Sequence, residues 1–303
     1  MDLKDLTLSI VTRNRPIPLC RMLTSLMSQG TGWKLDIIDS SEPSVKTERC
    51  VNDIRMVLER MGIESRVLEP PEHANTVALQ YGAERAETKY VMRHEDDVVL
   101  EPNYLPRLLD VLARDWPGLN VLGVGATAPD ASCHVQMVPL PDRFVNAVFK
   151  AHLDDVGDVL HPYDAQMQWY DCTGKEDRVY PVPHLHGQFM YKREAFLKAG
   201  GFNRECSRIG HREETFATLR AYFQGYDWLV VPAVKGWHTC WPSGGSRDGL
   251  NDAQRRAMQI GDERAFTKAL SGWMVEHPDR FIHVGTPDTF PFEKTYLRVS
   301  DGT

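Results

Sequence analysis

The chain has 303 residues and a net charge of -7, and 42% of its residues are hydrophobic and 25% charged. This composition is typical of a globular protein and excludes disordered and fibrous classes. No apolar run reaches the length of a membrane span, and the N-terminal residues lack a signal peptide's apolar core, so we expect a soluble, cytoplasmic protein. Six scattered cysteines without a Cys-x-x-Cys pair indicate reduced thiols rather than a zinc ribbon or a disulfide scaffold.

The first hundred residues predict alternating strands and helices. Residues 6–12 alternate in polarity and are rich in β-branched residues, which is typical of a strand. Pro16 suits the first turn of a helix, and the apolar residues that follow it are spaced on one helical face. Strands are predicted next at 35–38, 65–68 and from Tyr90. Helices are predicted between them, one carrying Val51 to Met61 and one spanning 75–86. Such alternation is typical of a parallel sheet flanked by helices.

The remaining two thirds of the chain are less regular. A proline-rich, irregular insertion is predicted over residues 127–185, and insertions of this length within a compact domain are more often functional than idle. The last thirty residues are predicted to be extended. Between and around these segments the patterns predict helices at 102–113, 192–199, 214–224 and 251–274 and strands at 120–126, 187–191 and 227–231.

Three consecutive carboxylates, Glu95, Asp96 and Asp97, follow the apolar strand that starts at Tyr90. Adjacent like charges raise one another's pKa, and a divalent cation with hard oxygen ligands, magnesium or manganese, removes that cost. The stretch therefore indicates a metal–diphosphate site, with a solvated acidic turn as the alternative. Ligands bind beyond the carboxyl ends of parallel strands, where Arg13 and Asp39 would also lie.

Blocks of sequence between residues 6 and 240 resemble, in order, the family-2 glycosyltransferases, which have the GT-A fold and use nucleotide-diphosphate sugars. Residues 9–16 are similar to that family's opening strand and turn, and residues 37–41 to its second strand. Glu95-Asp96-Asp97 with Glu101-Pro102 looks like its DxD element. The other similar blocks are 187–191, 193–196, 200–202, the run Glu213-Glu214, Arg220 and Gly225-Tyr226, and His238.

The resemblance implies an α/β fold of GT-A (Rossmann-like) type, with a mixed, mainly parallel sheet flanked by helices and a C-terminal helical extension. It implies a glycosyltransferase domain at 1–249, with a nucleotide-binding half at 1–126 and an acceptor-binding half at 127–249. Residues 250–303 would form the helical and extended C-terminal segment.

The resemblance also implies roles for individual residues. Asp97 and His238 would bind Mn2+ or Mg2+, Glu214 would be the catalytic base, and Glu213 would orient the acceptor or the donor sugar. The nucleotide sugar would contact Thr12, Arg13, Asp39, Glu95, Asp96 and Trp241, and the loop from Trp241 to Gly249 would close over the phosphates.

Each of these residues also has a purely local interpretation. Glu213 and Glu214 could be acids that favour a helix N-terminus, and Asp39 could cap a turn. Arg13 could lie at the surface, and His238 could be an ordinary core or loop histidine. His184 and His186 have the spacing of metal ligands, but a structural role is favoured because no acid adjoins them.

The predicted function is inverting transfer of a sugar, UDP-hexose by default, to the hydroxyl of a saccharide or glycan. A hydroxymethylated base in DNA is a second acceptor class, suggested by residues 186–268, where 13 Lys and Arg face 9 Asp and Glu. Glutamate replaces the family's aspartate at positions 95 and 214, and Leu79-Gln80 replaces a common Arg-Asn pair. A non-catalytic nucleotide-sugar-binding relative is therefore the alternative. The oligomeric state is left open.

Overall fold

The computed structural model describes residues 2–127, 143–148, 166–171, 175–280 and 297–298. Within these residues, ten strands form one mixed sheet and two form a separate pair. The strands are β1 (Leu6–Thr12), β2 (Lys34–Asp39), β3 (Glu64–Leu68), β4 (Tyr90–Glu95), β5 (Val98–Leu100), β6 (Val121–Thr127), β7 (Arg143–Val148), β8 (Gln166–Asp171), β9 (Arg178–Val182), β10 (Phe189–Lys192), β11 (Asp227–His238) and β12 (Leu297–Arg298). The α-helices are α1 (Pro16–Ser25), α2 (Arg49–Arg60), α3 (Asn75–Arg85), α4 (Tyr104–Ala113), α5 (Arg193–Lys198), α6 (Glu213–Phe223) and α7 (Asp252–Glu276).

The first four strands form a parallel block in the order β3-β2-β1-β4. Thr12, the last residue of β1, pairs with Asp39 at the end of β2, and Val11 pairs with Glu95 at the end of β4. The carboxyl ends of three strands are therefore level. This register places the polar residues that follow them along one edge, as the β/α alternation predicts.

Beyond β4 the sheet continues as β4-β10-β6-β11-β9-β12, and β10 is antiparallel to both of its neighbours. The long strand β11 runs parallel to β6 and then leaves it. Its last residues, Gly236 to His238, pair antiparallel with β5. Because β5 begins directly after the acidic turn at Asp96 and Asp97, this second pairing brings His238 to that turn from 141 residues further along the chain.

Apolar side chains from the two faces of the sheet form two cores, one under α1, α2 and α4 and the other under α3, α5 and α6. Trp228 of β11 is fully buried in the second core, and burial of a large side chain stabilises the fold by roughly 2–3 kcal/mol. A third cluster, including Phe216, Phe266 and Leu270, joins α6 to α7. The predicted C-terminal helix is thus attached directly to the helix that begins at Glu213.

The expectation of an irregular segment over residues 127–185 is wrong where that segment is described, because β7, β8 and β9 lie in it. Strand β9 pairs with β11, and Pro181 lies opposite Leu229. Proline is rare within central strands, which hides this strand in the sequence. Residues 128–142, 149–165 and 172–174 lie outside the described part, as do residues 281–296 and 299–303 of the predicted extended C-terminus.

Among the described residues, none of the helices combines the length and the apolar character that crossing a bilayer requires. The four described cysteines, Cys20, Cys50, Cys206 and Cys240, are free thiols.

Candidate active site

The acidic turn after β4 and the end of β11 form a cluster of possible metal ligands. Glu95, Asp97 and His238 each offer one ligand atom, and these atoms lie within 4.8 Å of one another. His238 Nε2 is 3.2 Å from Asp97 Oδ1 and 3.9 Å from Glu95 Oε2. Two carboxylates and an imidazole fit Mn2+, and the carboxylates fit Mg2+. The predicted ligands Asp97 and His238 are therefore neighbours, and Glu95 joins them.

The environment of His238 suits a metal ligand. Its Nδ1 lies 3.2 Å from Cys240 Sγ, so a partner on the far side of the ring would fix its orientation if Nε2 held a metal. The backbone carbonyl of Asp97 accepts hydrogen bonds from the Thr239 amide and hydroxyl, at 2.8 and 3.0 Å. These bonds tie the acidic turn to the segment that follows β11.

Arg15 neutralises the acidic turn from the N-terminus of α1. Its Nη1 donates to Asp96 Oδ1 at 3.2 Å and to Asp97 Oδ2 at 3.0 Å. Thr12 donates its hydroxyl to Asp96 Oδ2 at 2.7 Å. Burial nevertheless raises the pKa of Asp96 to about 7. Burial acts the same way on Asp97, but His238 and Arg15 hold the pKa of Asp97 below its usual value.

The loop from Trp241 to Gly249 lies against this site. The amide of Trp241 donates to Asp97 Oδ2 at 3.2 Å, and the amide of Gly245 donates to the Arg13 carbonyl at 2.8 Å. Both Gly244 and Gly245 have positive φ, and a Cβ on Gly245 would lie 2.9 Å from the Arg15 guanidinium. Glycine is favoured at both positions because residues with a side chain rarely adopt a positive φ, and a Cβ on Gly244 would also lie 2.6 Å from the Asn14 backbone oxygen. The indole ring of Trp241 stacks on Arg21 at 5.1 Å.

A buried arginine connects the acidic turn to α6. Arg93 is 2% exposed, and its Nη2 lies 3.1 Å from Glu95 Oε1 and 3.0 Å from Glu213 Oε1. The side chain of Gln188 donates to Glu95 Oε2 at 3.1 Å. One guanidinium thus links the possible metal ligand to the acidic pair, and it satisfies part of the charge of both carboxylates.

Glu213 and Glu214 occupy the first turn of α6, and both are buried. Glu213 Oε1 also accepts from Asn75 Nδ2 at 3.0 Å, and Glu214 Oε1 lies 2.7 Å from His186 Nδ1. Burial and the neighbouring Glu214 carboxylate raise the pKa of Glu213 well above its usual value. Burial favours the same change in Glu214, but the His186 imidazole holds the pKa of Glu214 well below its usual value.

Helix α7 holds the loop that leads into α6. The buried Asp262 accepts from the Ser207 amide and hydroxyl, both at 2.6 Å, and from the His211 amide at 2.9 Å. Glu263 accepts from Arg212 Nε at 2.9 Å. Arg212 has a φ of 69°, an unfavourable backbone conformation for a residue with a side chain. The two acids of α7 therefore support the turn directly before Glu213.

The predicted nucleotide contacts fall into two groups. Thr12, Arg13, Glu95, Asp96 and Trp241 line one cavity of about 920 Å3, together with the metal cluster and the α6 acids. Asp39 instead has its carboxylate in its own loop, where Oδ1 accepts from Ser41 and Oδ2 from Ser44 and Val45. A role for Asp39 in nucleotide binding stays a prediction.

Four functional candidates were missed or underrated by sequence reasoning. Arg15 and Arg93 do not appear among the predicted site residues, and His186 and Asp262 were given only structural interpretations or none. The alternation of β4 is a usable signal, because Arg93 and Glu95 are two residues apart and share a face of the strand. His184 fits its expected structural role, since it is fully buried and its Nδ1 lies 2.9 Å from the Thr218 hydroxyl.

Comparison with known proteins agrees with this architecture. Residues 7–130 match the model for glycosyl transferase family 2. The crystal structure of GalNAc-T7 with UDP, GalNAc and Mn2+ is 15% identical, has a TM-score of 0.60, and covers 90% of this chain and 50% of that one. The mannosyltransferase PcManGT from Pyrobaculum calidifontis, in complex with GDP-Man and Mn2+, is 14% identical with a TM-score of 0.52 and covers 91% of this chain and 71% of that one.

The chain thus spans about half the length of the GalNAc-T7 structure. No curated protein matches the sequence. The mixed sheet with flanking helices and an acidic turn at its edge is a GT-A fold. Residues 7–130 of this chain are similar to glycosyl transferase family 2.

Proposed function

We propose that this protein is a metal-dependent, inverting glycosyltransferase that moves a hexose from a UDP-sugar to a hydroxyl of a saccharide acceptor. One observation carries the proposal. A cluster able to hold a divalent metal (Glu95, Asp97 and His238) and a buried acid–imidazole cluster (Glu214 and His186) line the same cavity. Sugar transfer needs both of these: a site for a charged leaving group and a site for a proton.

The donor would bind at the acidic turn. Asp97, His238 and Glu95 would hold Mn2+ or Mg2+, and the ion would neutralise the charge that builds on the leaving diphosphate. Arg13 and Arg15 line the same part of the cavity and would face the phosphates or the nucleotide. Thr12, Asp96 and Trp241 would complete the donor pocket, and the glycine-containing loop after Trp241 would exclude water.

The acceptor would bind on the α6 side. Inversion by a single displacement requires the attacking hydroxyl and the leaving diphosphate to lie on opposite faces of the anomeric carbon. The acids of α6 line the same cavity as the metal ligands, and Arg93 joins Glu213 to Glu95. The Glu214–His186 pair is accordingly assigned to proton removal, and Glu213 to substrate orientation.

The comparisons support the donor class more than the donor itself. One similar structure holds UDP with Mn2+ and the other holds GDP-Man with Mn2+. Both combine a nucleotide diphosphate with manganese, which favours such a donor for this chain. That the nucleotide is UDP and the transferred sugar a hexose is a further part of the proposal.

A saccharide is favoured over DNA as the acceptor. Two of the basic residues at the cavity, Arg212 and Arg255, are already paired with carboxylates, Glu263 and Asp252 respectively. A DNA acceptor would need unpaired cations for its phosphates, and its binding would fall steeply with salt. The DNA acceptor and the cytoplasmic location stay predictions.

The proposal is tested by calorimetric titration of UDP-sugars and GDP-sugars with MnCl2 and then with EDTA. We expect one UDP-sugar to bind only with manganese. Slow release of UDP from that donor, with water as the acceptor, would follow. Metal-independent binding, or no binding to any nucleotide sugar, would contradict the proposal.

A non-catalytic binding protein would behave differently in the same experiment. It would bind the donor with manganese but release no UDP above the rate of a boiled sample. Comparing the wild type with Glu214→Gln separates the two cases, because only an enzyme can lose turnover in the variant while it keeps its affinity for the donor.

A further inference from the structure

We propose that the group that accepts the proton from the acceptor hydroxyl is the imidazole Nε2 of His186, and that Glu214 is the buried carboxylate that orients it. This inference deepens the proposed glycosyl transfer and rests on it. The sequence analysis assigns the role of catalytic base to Glu214 and a structural role to His186. The contacts of the two side chains favour the reverse assignment.

Exposure is the first observation. A base must reach the acceptor, and the His186 side chain is 37% exposed, whereas that of Glu214 is 10% exposed. His186 lines the cavity two residues before Gln188, whose amide contacts the metal-ligand candidate Glu95. The imidazole therefore lies between the proposed donor site and the part of the cavity that α6 lines.

Hydrogen bonding is the second observation. His186 Nδ1 lies 2.7 Å from Glu214 Oε1, and an ionised carboxylate can only accept. Nδ1 must then carry the proton and donate it. In neutral histidine this leaves Nε2 with a bare lone pair, and Nε2 has no partner among the described residues. The arrangement has the same logic as a histidine oriented by a buried acid.

The other candidates in the cavity are already occupied. Glu213 Oε1 accepts from both Asn75 and Arg93. His211 Nε2 lies 3.2 Å from Glu263, and His184 is fully buried. Among the described residues that line the cavity, His186 is the imidazole paired with an acid of α6 itself, whereas His211 is paired with Glu263 of α7, which also accepts from Arg212.

The charges around His186 suit a base that works near neutral pH. It faces Glu214 on α6 and Glu95 and Arg93 on β4, and Glu213 and His184 lie nearby. Burial lowers the pKa of His186, but the Glu214 carboxylate raises it more, and the balance lies above the usual value. Glu214, by contrast, has a lowered pKa and is a weak proton acceptor.

The reaction step balances without any further reagent. The acceptor oxygen forms a bond to the anomeric carbon as its proton passes to His186 Nε2. The bond from that carbon to the diphosphate oxygen breaks, and its electron pair leaves with the nucleoside diphosphate. The imidazolium that results is stabilised by the Glu214 carboxylate, and it later releases its proton to water.

The test uses two substitutions of one residue. In His186→Asn the amide can still donate to Glu214 but has no acceptor in place of Nε2, so the pair is kept and the base is lost. We expect kcat to fall by about 100-fold or more, with donor affinity and Tm close to those of the wild type. We also expect added imidazole to restore part of the rate in His186→Asn, and His186→Gln to be equally inactive. A structural role for His186 would leave His186→Asn active, and that result would overturn the proposal.

The pH profile is the second readout. For wild type, kcat/KM should rise with pH through the pKa of His186, which the Glu214 carboxylate raises above that of an ordinary histidine, because only the neutral imidazole accepts a proton. If Glu214 were the base, its lowered pKa would place this limb below the range in which an ordinary glutamate titrates, and a profile that is flat through the range of histidine titration would refute the inference.

A third readout does not depend on turnover. Nitrogen-15 NMR of histidine-labelled protein, assigned by the loss of one signal in His186→Asn, should show His186 protonated at Nδ1 and bare at Nε2 at high pH. The opposite tautomer would refute the inference even if no acceptor is found. A wild type that turns over no nucleotide sugar would instead refute the proposed function.

Discussion

Two pairs of adjacent acids line the same cavity, and they are held in different ways. Asp96 and Asp97 face Arg15, and Asp97 also faces His238, both from distant segments of the chain. Glu213 and Glu214 face a buried arginine and an imidazole, and the pKa of one is raised while that of the other is lowered. The first pair is suited to a metal ion, and the second is suited to moving a proton. The side chains that contact a carboxylate pair thus determine whether the pair is suited to metal binding or to proton transfer.

The largest expected effect comes from removing the metal ligand of the first pair. Asp97→Asn should abolish manganese-dependent donor binding and lower kcat/KM by about 1,000-fold, or roughly 4 kcal/mol, because a neutral amide binds the ion poorly. Calorimetry with and without MnCl2 measures this. Asp110→Asn, which changes an exposed acid of α4, is the matched control and should behave as wild type.

Removing the charge of the second pair should act on turnover alone. Glu214→Gln should lower kcat by about 100-fold and leave donor affinity within about twofold, since Glu214 is not one of the proposed metal ligands or donor contacts. Single-turnover release of UDP, compared with calorimetric affinity, measures the two effects separately. A parallel loss of affinity and turnover would show that the two pairs do not work independently.

A smaller effect is expected where α7 supports α6. Asp262→Asn places an amide donor against the amides that Asp262 accepts from, so the loop before Arg212 should loosen. We expect kcat to fall by about tenfold, which corresponds to roughly 1.4 kcal/mol in activation free energy, because the catalytic side chains would be misplaced. Donor affinity should be kept. Asp252→Asn at the exposed start of α7 is the control. Equal activity of the two variants would mean that α7 plays no part in positioning Glu213.

The last and smallest change is expected in stability, from Arg15→Gln. Without the Arg15 guanidinium, Asp96 and Asp97 lose the cation that they contact in the absence of metal. The free energy of unfolding of the metal-free protein should therefore fall by about 2 kcal/mol. Manganese should restore most of this loss. Thermal unfolding should therefore show a larger rise in Tm on adding MnCl2 than in wild type or in the surface control Arg60→Gln.

The sequence was informative where chemistry is local. The strands up to β4 and the helices between them follow from apolar periodicity, and the acidic turn stands out as three adjacent charges. Asp97 and His238 were paired through a family resemblance, and the pairing of β5 with β11 now gives the physical reason. Arg13 was placed at the ligand site because it follows a parallel strand, and Thr12 through the family resemblance.

Contacts between distant segments were not predictable in the same way. Arg93 meets Glu213 across 120 residues, and His186 meets Glu214 only because of the course that the chain takes before β10. No periodic pattern in the sequence predicts either contact. Proline concealed β9, and the backbone strain at Arg212 is visible only in the dihedral angles. The proton-handling pair was therefore harder to predict than the metal-binding pair.

The central claim is that the two pairs divide the work of one reaction. The most direct measurement is a manganese-dependent calorimetric titration of wild type, Asp97→Asn and Glu214→Gln with the same UDP-sugar. We expect wild type and Glu214→Gln to bind with similar affinities and Asp97→Asn not to bind. Binding by Asp97→Asn, or its loss in Glu214→Gln, would contradict this division.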